Sequence, residues 1–349
     1  MRLKSHICRV GFALSGLFTA LPGLAQDASL LQYEGADRAK KLVAAAQKEG
    51  KLTLYTSFAE KDLPVLIEPF EKKYGIKVKV WRSGSDKVLQ RTLMEASAKR
   101  YEVDAIQSAA LEMEALHREK ILQPVKSPAF TELIPGALRP HREWVATFLS
   151  VWVQAYNTSL IAKEDLPKTY RDFLDPKWKG KLGIEGDVLE WYSTVMLEMG
   201  EESGVALFRD IVARNGMSVR KGHSLLNNMV VAGEVPLALT VYNYMPETAK
   251  RKGAPIDWFV LEPAVARASG MGISRHAPNP NAALLFKEYM LSTDAQKLLV
   301  SMNYVPTNAR MPSPLAGFRV KLVDPTVTLD NLEKWSKSFE DVVLKQGRK

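Results

Sequence analysis

The chain reads as an open α/β fold in two lobes, and three observations predict it. From Lys51 the sequence runs KLTLYTSF, where Leu52, Leu54 and Tyr55 among β-prone neighbours predict a buried strand. Next come Leu63, Leu66, Ile67 and Phe70, spaced three and four apart as one apolar face of a helix. A second β-prone run, YGIKVKV, then carries Val78 and Val80. Strand, helix and strand in that order form a right-handed parallel crossover, and open α/β sheets bind ligands at the carboxyl ends of such strands. The turns at those ends are Thr56-Ser57 and Ser83-Gly84-Ser85, which place hydroxyls and backbone N–H groups at helix starts, where small anions are held.

The other elements follow in order. Asp37 to Glu49 is alanine- and charge-rich with helical spacing, and Gly50 ends it. Val88 to Lys99 predicts a helix. Val103 to Ile106 predicts a short buried strand ending in a turn at Gln107-Ser108, and Leu111 to Lys120 a further helix. Glu143 to Tyr156 is a β-prone run long enough to cross from one lobe to the other. Beyond Asn157 the loops become rich in Pro and Lys, and a second α/β set follows, with a helix at 225–232 and a strand at 236–242. After Trp258-Phe259-Val260 come helices at 281–290 and 293–301, then a C-terminal helix at 329–345. The predicted organisation is a leader over 1–25, one lobe from 26–149 with 258–312, and a second from 150–257 with 313–349.

The leader is expected from Arg2, Lys4 and Arg9 ahead of an apolar run, Val10 to Leu24, with Gly23-Leu24-Ala25 as small residues before the cut. That run is too short to span a bilayer, and no later stretch is long enough either. An exported protein is predicted. The single cysteine, Cys8, lies inside the leader, so the mature chain has neither disulfide nor thiol chemistry. Losing Arg2, Lys4 and Arg9 lowers the formal net charge from +9 to +6. The basic residues are scattered, with Lys250-Arg251-Lys252 the longest run, which describes a solvated surface rather than a nucleic-acid stripe.

The segments LTLYTSF, FEKKYGIKVKV, RSGS and VDAI, with LDPKWKGKLGI and GEVPLALTVYNY, resemble periplasmic solute-binding proteins of ABC importers, and among them the ferric-iron-binding type. The likeness covers roughly residues 51 to 309. It implies the type II periplasmic binding fold: hinge-linked lobes that shut on a ligand in the cleft between them, which fits a ligand-driven shift of an open–closed balance. It also implies a periplasmic monomer that delivers a small solute to the transmembrane permease subunits. In the ferric subgroup, iron is held by a histidine, a glutamate and two adjacent tyrosines. Here the matching positions are Ala59, Ala109 and Asn243-Tyr244, with Tyr242 one place earlier. Ferric iron is a hard cation that wants several anionic oxygens or imidazoles. Three of the four ligands are missing, so no resident metal or cofactor is expected.

The candidate ligand-binding residues are Ser57, Arg82, Ser83, Ser85, Ser108, Glu190, Trp191, His223, Tyr242 and Tyr244. The serines sit at strand ends of the first lobe, where they also suit helix capping. The guanidinium of Arg82 suits a carboxylate or phosphonate. His223 matches the position of an asparagine that, in the resembled family, contacts the anion accompanying iron, and Ser224 beside it reads as a helix cap. Tyr242 and Tyr244 alternate across Asn243 and would point the same way on a strand end. Trp191 suits stacking or core packing, and Asp187 reads as a cap.

A small organic anion is the leading ligand. Cationic amines, held by Tyr242, Tyr244, Trp191 and Glu190, and ferric iron, on a site rebuilt from Tyr242, Tyr244, Asp187 and Glu190, are the alternatives. A sensor feeding a membrane receptor is the alternative role. An enzyme is not expected: the chain carries no GxSxG, no HExxH and no thiol beyond the leader, and His117 and His141 lie in a charged helix and a loop.

Overall fold

In the computed structural model, which describes residues 29–345, the alanine-rich segment forms a helix over Arg38–Glu49, and Gly50 turns the chain at φ 70°. A side chain is strained in that left-handed conformation, and glycine is not. The expected leader lies outside the described residues.

The first lobe is built on three parallel strands: β1 (Lys51–Thr56), β2 (Lys77–Arg82) and β3 (Ala105–Ala109). The helix between β1 and β2, Leu63–Tyr74, buries Leu63, Leu66 and Phe70, the face its spacing predicts. β2 is the edge strand, and its side chains are half-buried or exposed. β3 runs past the expected turn. Gln107 and Ser108 belong to the strand because its far side is also paired, with Ser108 opposite Gly270 and Ala109 opposite Ser269. A short β4 (Leu122–Gln123) follows.

The long run is one strand, β5 (Trp144–Asn157), buried over its whole length. The second lobe has its own parallel trio: β6 (Leu182–Glu185), β7 (Ser218–Arg220) and β8 (Leu237–Tyr242). β9 (Ile256–Phe259) pairs with the far end of β5. Next comes β10 (Ala264–Ser274), followed by two small strands, β11 (Val305–Pro306) and β12 (Val320–Leu322).

β10 was not expected from the sequence, and it is central. The sheet order is β2-β1-β3-β10-β5-β8-β6-β7, so the antiparallel pair β10–β5 joins the two parallel trios. Its composition, AVARASGMGIS, is poor in β-branched and aromatic residues. Packing explains why. A Cβ at Gly270 would lie 2.7 Å from the Trp144 ring, and one at Gly272 would lie 3.0 Å from the backbone oxygen of Glu143.

Apolar side chains gather on the two sides of this joint, and a third cluster runs through it from Tyr55 and Val88 to Leu226 and Val230. Leu54, Phe70, Phe286 and Tyr289 fill one cluster, and Trp178, Trp191, Phe208 and Trp335 another. The C-terminal segment packs on the second of these as three pieces rather than one helix: Pro325–Asp330, Leu332–Phe339 and a π-helical turn at Glu340–Leu344. Asn331 (φ −122°) lies outside helical geometry and breaks the run. Two expected caps differ as well. Gly222, not Ser224, precedes the helix His223–Ala232, and Val188, not Asp187, precedes the helix Leu189–Glu198.

Candidate functional site

Where β10 and β5 cross between the trios, a cavity of about 90 Å³ opens. β10 contributes Arg267 and Ser269, β5 contributes Phe148 and Ser150, and the turns after β1 and β2 contribute Ser57 and Ser85. Tyr242, Tyr244 and Tyr304 add three aromatic rings to the lining. Arg267 is the one charged side chain in the lining, and every other polar group there is a hydroxyl.

Arg267 donates from Nη1 to Oε2 of Glu190 at 3.2 Å, its sole side-chain hydrogen bond among the described residues. The guanidinium lies 5.3 Å from the Tyr242 ring centre and 5.5 Å from that of Trp152, within cation–π range. Burial works against its charge, but the ion pair with Glu190 and the nearby Glu112 offset it, so Arg267 stays protonated. Burial raises the Glu190 carboxyl, while Arg267 pulls it back down. Glu112 has a buried Oε2 without a partner among the described residues, and burial followed by the charge of Glu190 pushes it up to about 7.

The tyrosines differ from one another. Tyr304 donates its hydroxyl to Oδ2 of Asp62 at 2.8 Å, whereas the buried Tyr242 hydroxyl has no partner among the described residues. Burial raises all three phenols, Tyr244 to about 12, so each is a neutral donor. Ser269 is fixed from behind, since Gln107 donates to its Oγ and accepts from Thr56. That chain ties β1, β3 and β10 together under the cavity floor.

The cavity brings together Ser57, Ser85, Tyr242 and Tyr244 of the ten residues expected from the sequence. Tyr244 does so from the first turn of a helix, Tyr244–Arg251, and not from a strand end. Its ring still stacks on that of Tyr242, 5.9 Å apart and 13° from parallel. Two further residues stand one contact behind the lining: Glu190 through Arg267, and His223 through its ring 4.1 Å from Tyr242. Nδ1 of His223 donates to the Thr240 carbonyl at 3.2 Å, and burial together with the charge of Arg267 pulls the imidazole down to about 3.

The other four stand elsewhere. Arg82 is exposed and donates to the Phe58 carbonyl, and the N–H of Ser83 is spent on Thr56. Ser108 is buried within β3, its Oγ without a partner among the described residues. Trp191 packs between Tyr170 and Phe208, 1% exposed. The amine cage suggested by the sequence is therefore not assembled. Trp191 is in the core, and the cation against the rings is Arg267 itself. A rebuilt iron site meets a similar obstacle, with Asp187 exposed and Glu190 committed to Arg267.

Sequence reading missed Arg267, Ser269, Ser150 and Tyr304. For Arg267 a signal existed: it is the one charged residue in the eleven of β10, and a lone charge among small buried residues needs a reason to be there.

The two trios, the crossing strands and the cavity between them define a type II periplasmic binding fold, that of a solute-binding component of an ABC importer. Residues 65–316 match the family described as bacterial extracellular solute-binding protein, and the chain belongs to that family. It is 26% identical to iron uptake protein A1 of Synechocystis sp., over 93% of each chain. It is 24% identical to the major ferric iron-binding protein of Neisseria meningitidis serogroup B, over 88% of this chain and 97% of that one. Iron-bound HitA from Pseudomonas aeruginosa superposes with a TM-score of 0.73 at 23% identity, over 84% of this chain and 99% of that one. AfuA from Actinobacillus pleuropneumoniae, with fructose-6-phosphate bound, gives 0.71 at 20% identity over 84% and 98%. Among the described residues no helix is long and apolar enough to cross a membrane.

Proposed function

We propose that the protein captures a small organic anion, a carboxylate or phosphonate, in the cavity at Arg267 and hands it to a membrane permease. The observation that carries this reading is the lining. It holds one cation, several hydroxyl donors and no carboxylate, and all but one of the N–H groups of the Arg267 fork are uncommitted among the described residues. The lobes are taken as 26–149 with 258–312 and 150–257 with 313–349. The two parallel trios on either side of β5 and β10 support that division, and closure between the lobes completes the grip. The protein acts as a monomer.

Ferric iron is the second reading. Three tyrosines converge on the cavity, and several relatives carry iron in their names. Against it stand Ala59 and Ala109, phenols held neutral by burial, and the commitment of Glu190 to Arg267.

Thermal shift across carboxylates, phosphonates, amines and ferric citrate separates the readings. A rise in midpoint with one class of anion is expected, since a ligand that binds only the folded state stabilises it. A shift with ferric citrate alone, with a tyrosinate-to-iron charge-transfer colour, would replace the anion by the metal.

A further inference from the structure

A second cavity, about 310 Å³, adjoins the first and shares its Ala59 and Tyr244 walls. It lies between the turn after β1 and the helices His223–Ala232 and Tyr244–Arg251, so residues of both trios face it. Its deepest polar group is Asn227, which is 6% exposed. The Oδ1 of that side chain is buried without a partner, and its amide makes no hydrogen bond to any described residue. Buried amides are ordinarily paired, and an unpaired one lining a cavity is a donor and acceptor kept for something else. The two lysines in the lining, Lys61 and Lys252, are exposed at the mouth, and Lys61 is already held by Asp62 at 2.8 Å. The buried chemistry here is therefore neutral and polar, unlike that at Arg267.

From this pairing we infer that the ligand has two parts: an anionic head seated at Arg267 and a hydroxyl-bearing tail that crosses Tyr244 to reach Asn227. A hydroxyl both donates and accepts, which is what a primary amide without partners can satisfy, and an alkyl chain of the same length would leave it unpaired. The inference rests on the anion reading above. It adds the class of molecule: polyhydroxylated organic acids or phosphonates rather than plain alkyl ones.

The test is calorimetric titration of the full mature chain with matched pairs, propylphosphonate against 2,3-dihydroxypropylphosphonate and butyrate against 3,4-dihydroxybutyrate. In at least one pair the dihydroxy member should bind about tenfold more tightly to the wild type, and Asn227→Leu should bring it down to the level of its plain partner. Equal affinities within both pairs for the wild type, a comparison that needs no variant, would overturn the tail while leaving the anion reading standing. So would an advantage that survives in Asn227→Leu. Failure of all four compounds to bind would remove the anion reading, and this inference with it.

Discussion

Nη1 of Arg267 lies 3.2 Å from Oε2 of Glu190, and the two hold each other at the floor of the cavity between the lobes. The carboxylate side chain is 6% exposed and the guanidinium 22%, so removing one partner strands the other out of water. Arg267→Met should lower anion affinity more than tenfold and cost about 3 kcal/mol in urea unfolding. Adding Glu190→Gln should restore most of the stability and none of the affinity. A single variant as stable as the wild type would show that the pair is not what holds the floor.

Tyr242 offers the opposite separation. Its ring faces Arg267, but its buried hydroxyl has no partner among the described residues, so the free protein gains nothing from it. Tyr242→Phe should leave the unfolding free energy unchanged or raise it by up to about 1 kcal/mol, and should weaken anion binding by about the same amount. Titration and denaturant unfolding on one preparation check both. Loss of stability would mean that the hydroxyl is satisfied within the protein.

Glu112 makes the site sensitive to pH. Burial and the charge of Glu190 hold its carboxyl near 7 rather than in the ordinary range near 4.5. It is protonated at pH 6 and ionised at pH 8, adding a negative charge near Arg267. Anion affinity should fall by about three- to tenfold between those values, and Glu112→Gln should hold the tighter value throughout. The stability consequence has the same sign. A folded pKa raised above the unfolded one gives stability that is full below about 4.5 and lost as pH rises through 7. A wild-type affinity that does not change from pH 6 to 8 would rule this coupling out.

How much of this was legible in the sequence depends on side-chain size. β1, β2 and the helix between them were readable because Leu54, Val78, Leu66 and Phe70 carry the periodicities of strand and helix in bulky residues. β5 was readable as a crossing strand from its Trp, Phe and Val content. β10 was not, because close approach to Trp144 and Leu122 demands Gly270 and Gly272, and a strand written in Ala, Gly and Ser resembles a loop. The omission carried into the site. Arg267 and Ser269 lie on that strand, so their elements were invisible before their roles could be asked about.

The residues that were found came from turn chemistry and from a matched motif, and these place side chains to within one contact. Ser57 and Ser85 reach the cavity, while Ser83, two residues from Ser85, does not, because its N–H closes onto Thr56. Tyr244 arrives by a helical turn that no two-residue alternation would suggest. Which neighbour faces the cleft is set by the ladder and by where it stops, and both are decided between segments distant in sequence.

Lys287, far from the cleft, gives a last test of the electrostatics. It lies on the helix Pro280–Leu291 at 1% exposure, with Nζ 5.6 Å from the Phe130 ring centre and without a hydrogen-bond partner among the described residues. The adjacent Glu288 is engaged with Arg38 at 2.7 Å. Burial pulls the amine down to about 7 from 10.5. A folded pKa below the unfolded one gives stability that is present above about 10.5 and lost as pH falls through 7, so the wild type should gain stability from pH 7 toward pH 9. Lys287→Met removes the ionisable group and keeps the volume. It should be more stable than the wild type by about 1–3 kcal/mol at pH 7, with the gap narrowing by up to about 1.4 kcal/mol per pH unit above that. Urea unfolding at pH 6, 7.5 and 9 measures the gap. Curves that stay parallel across that range would mean that Lys287 keeps an ordinary pKa through a partner or water that its surroundings supply.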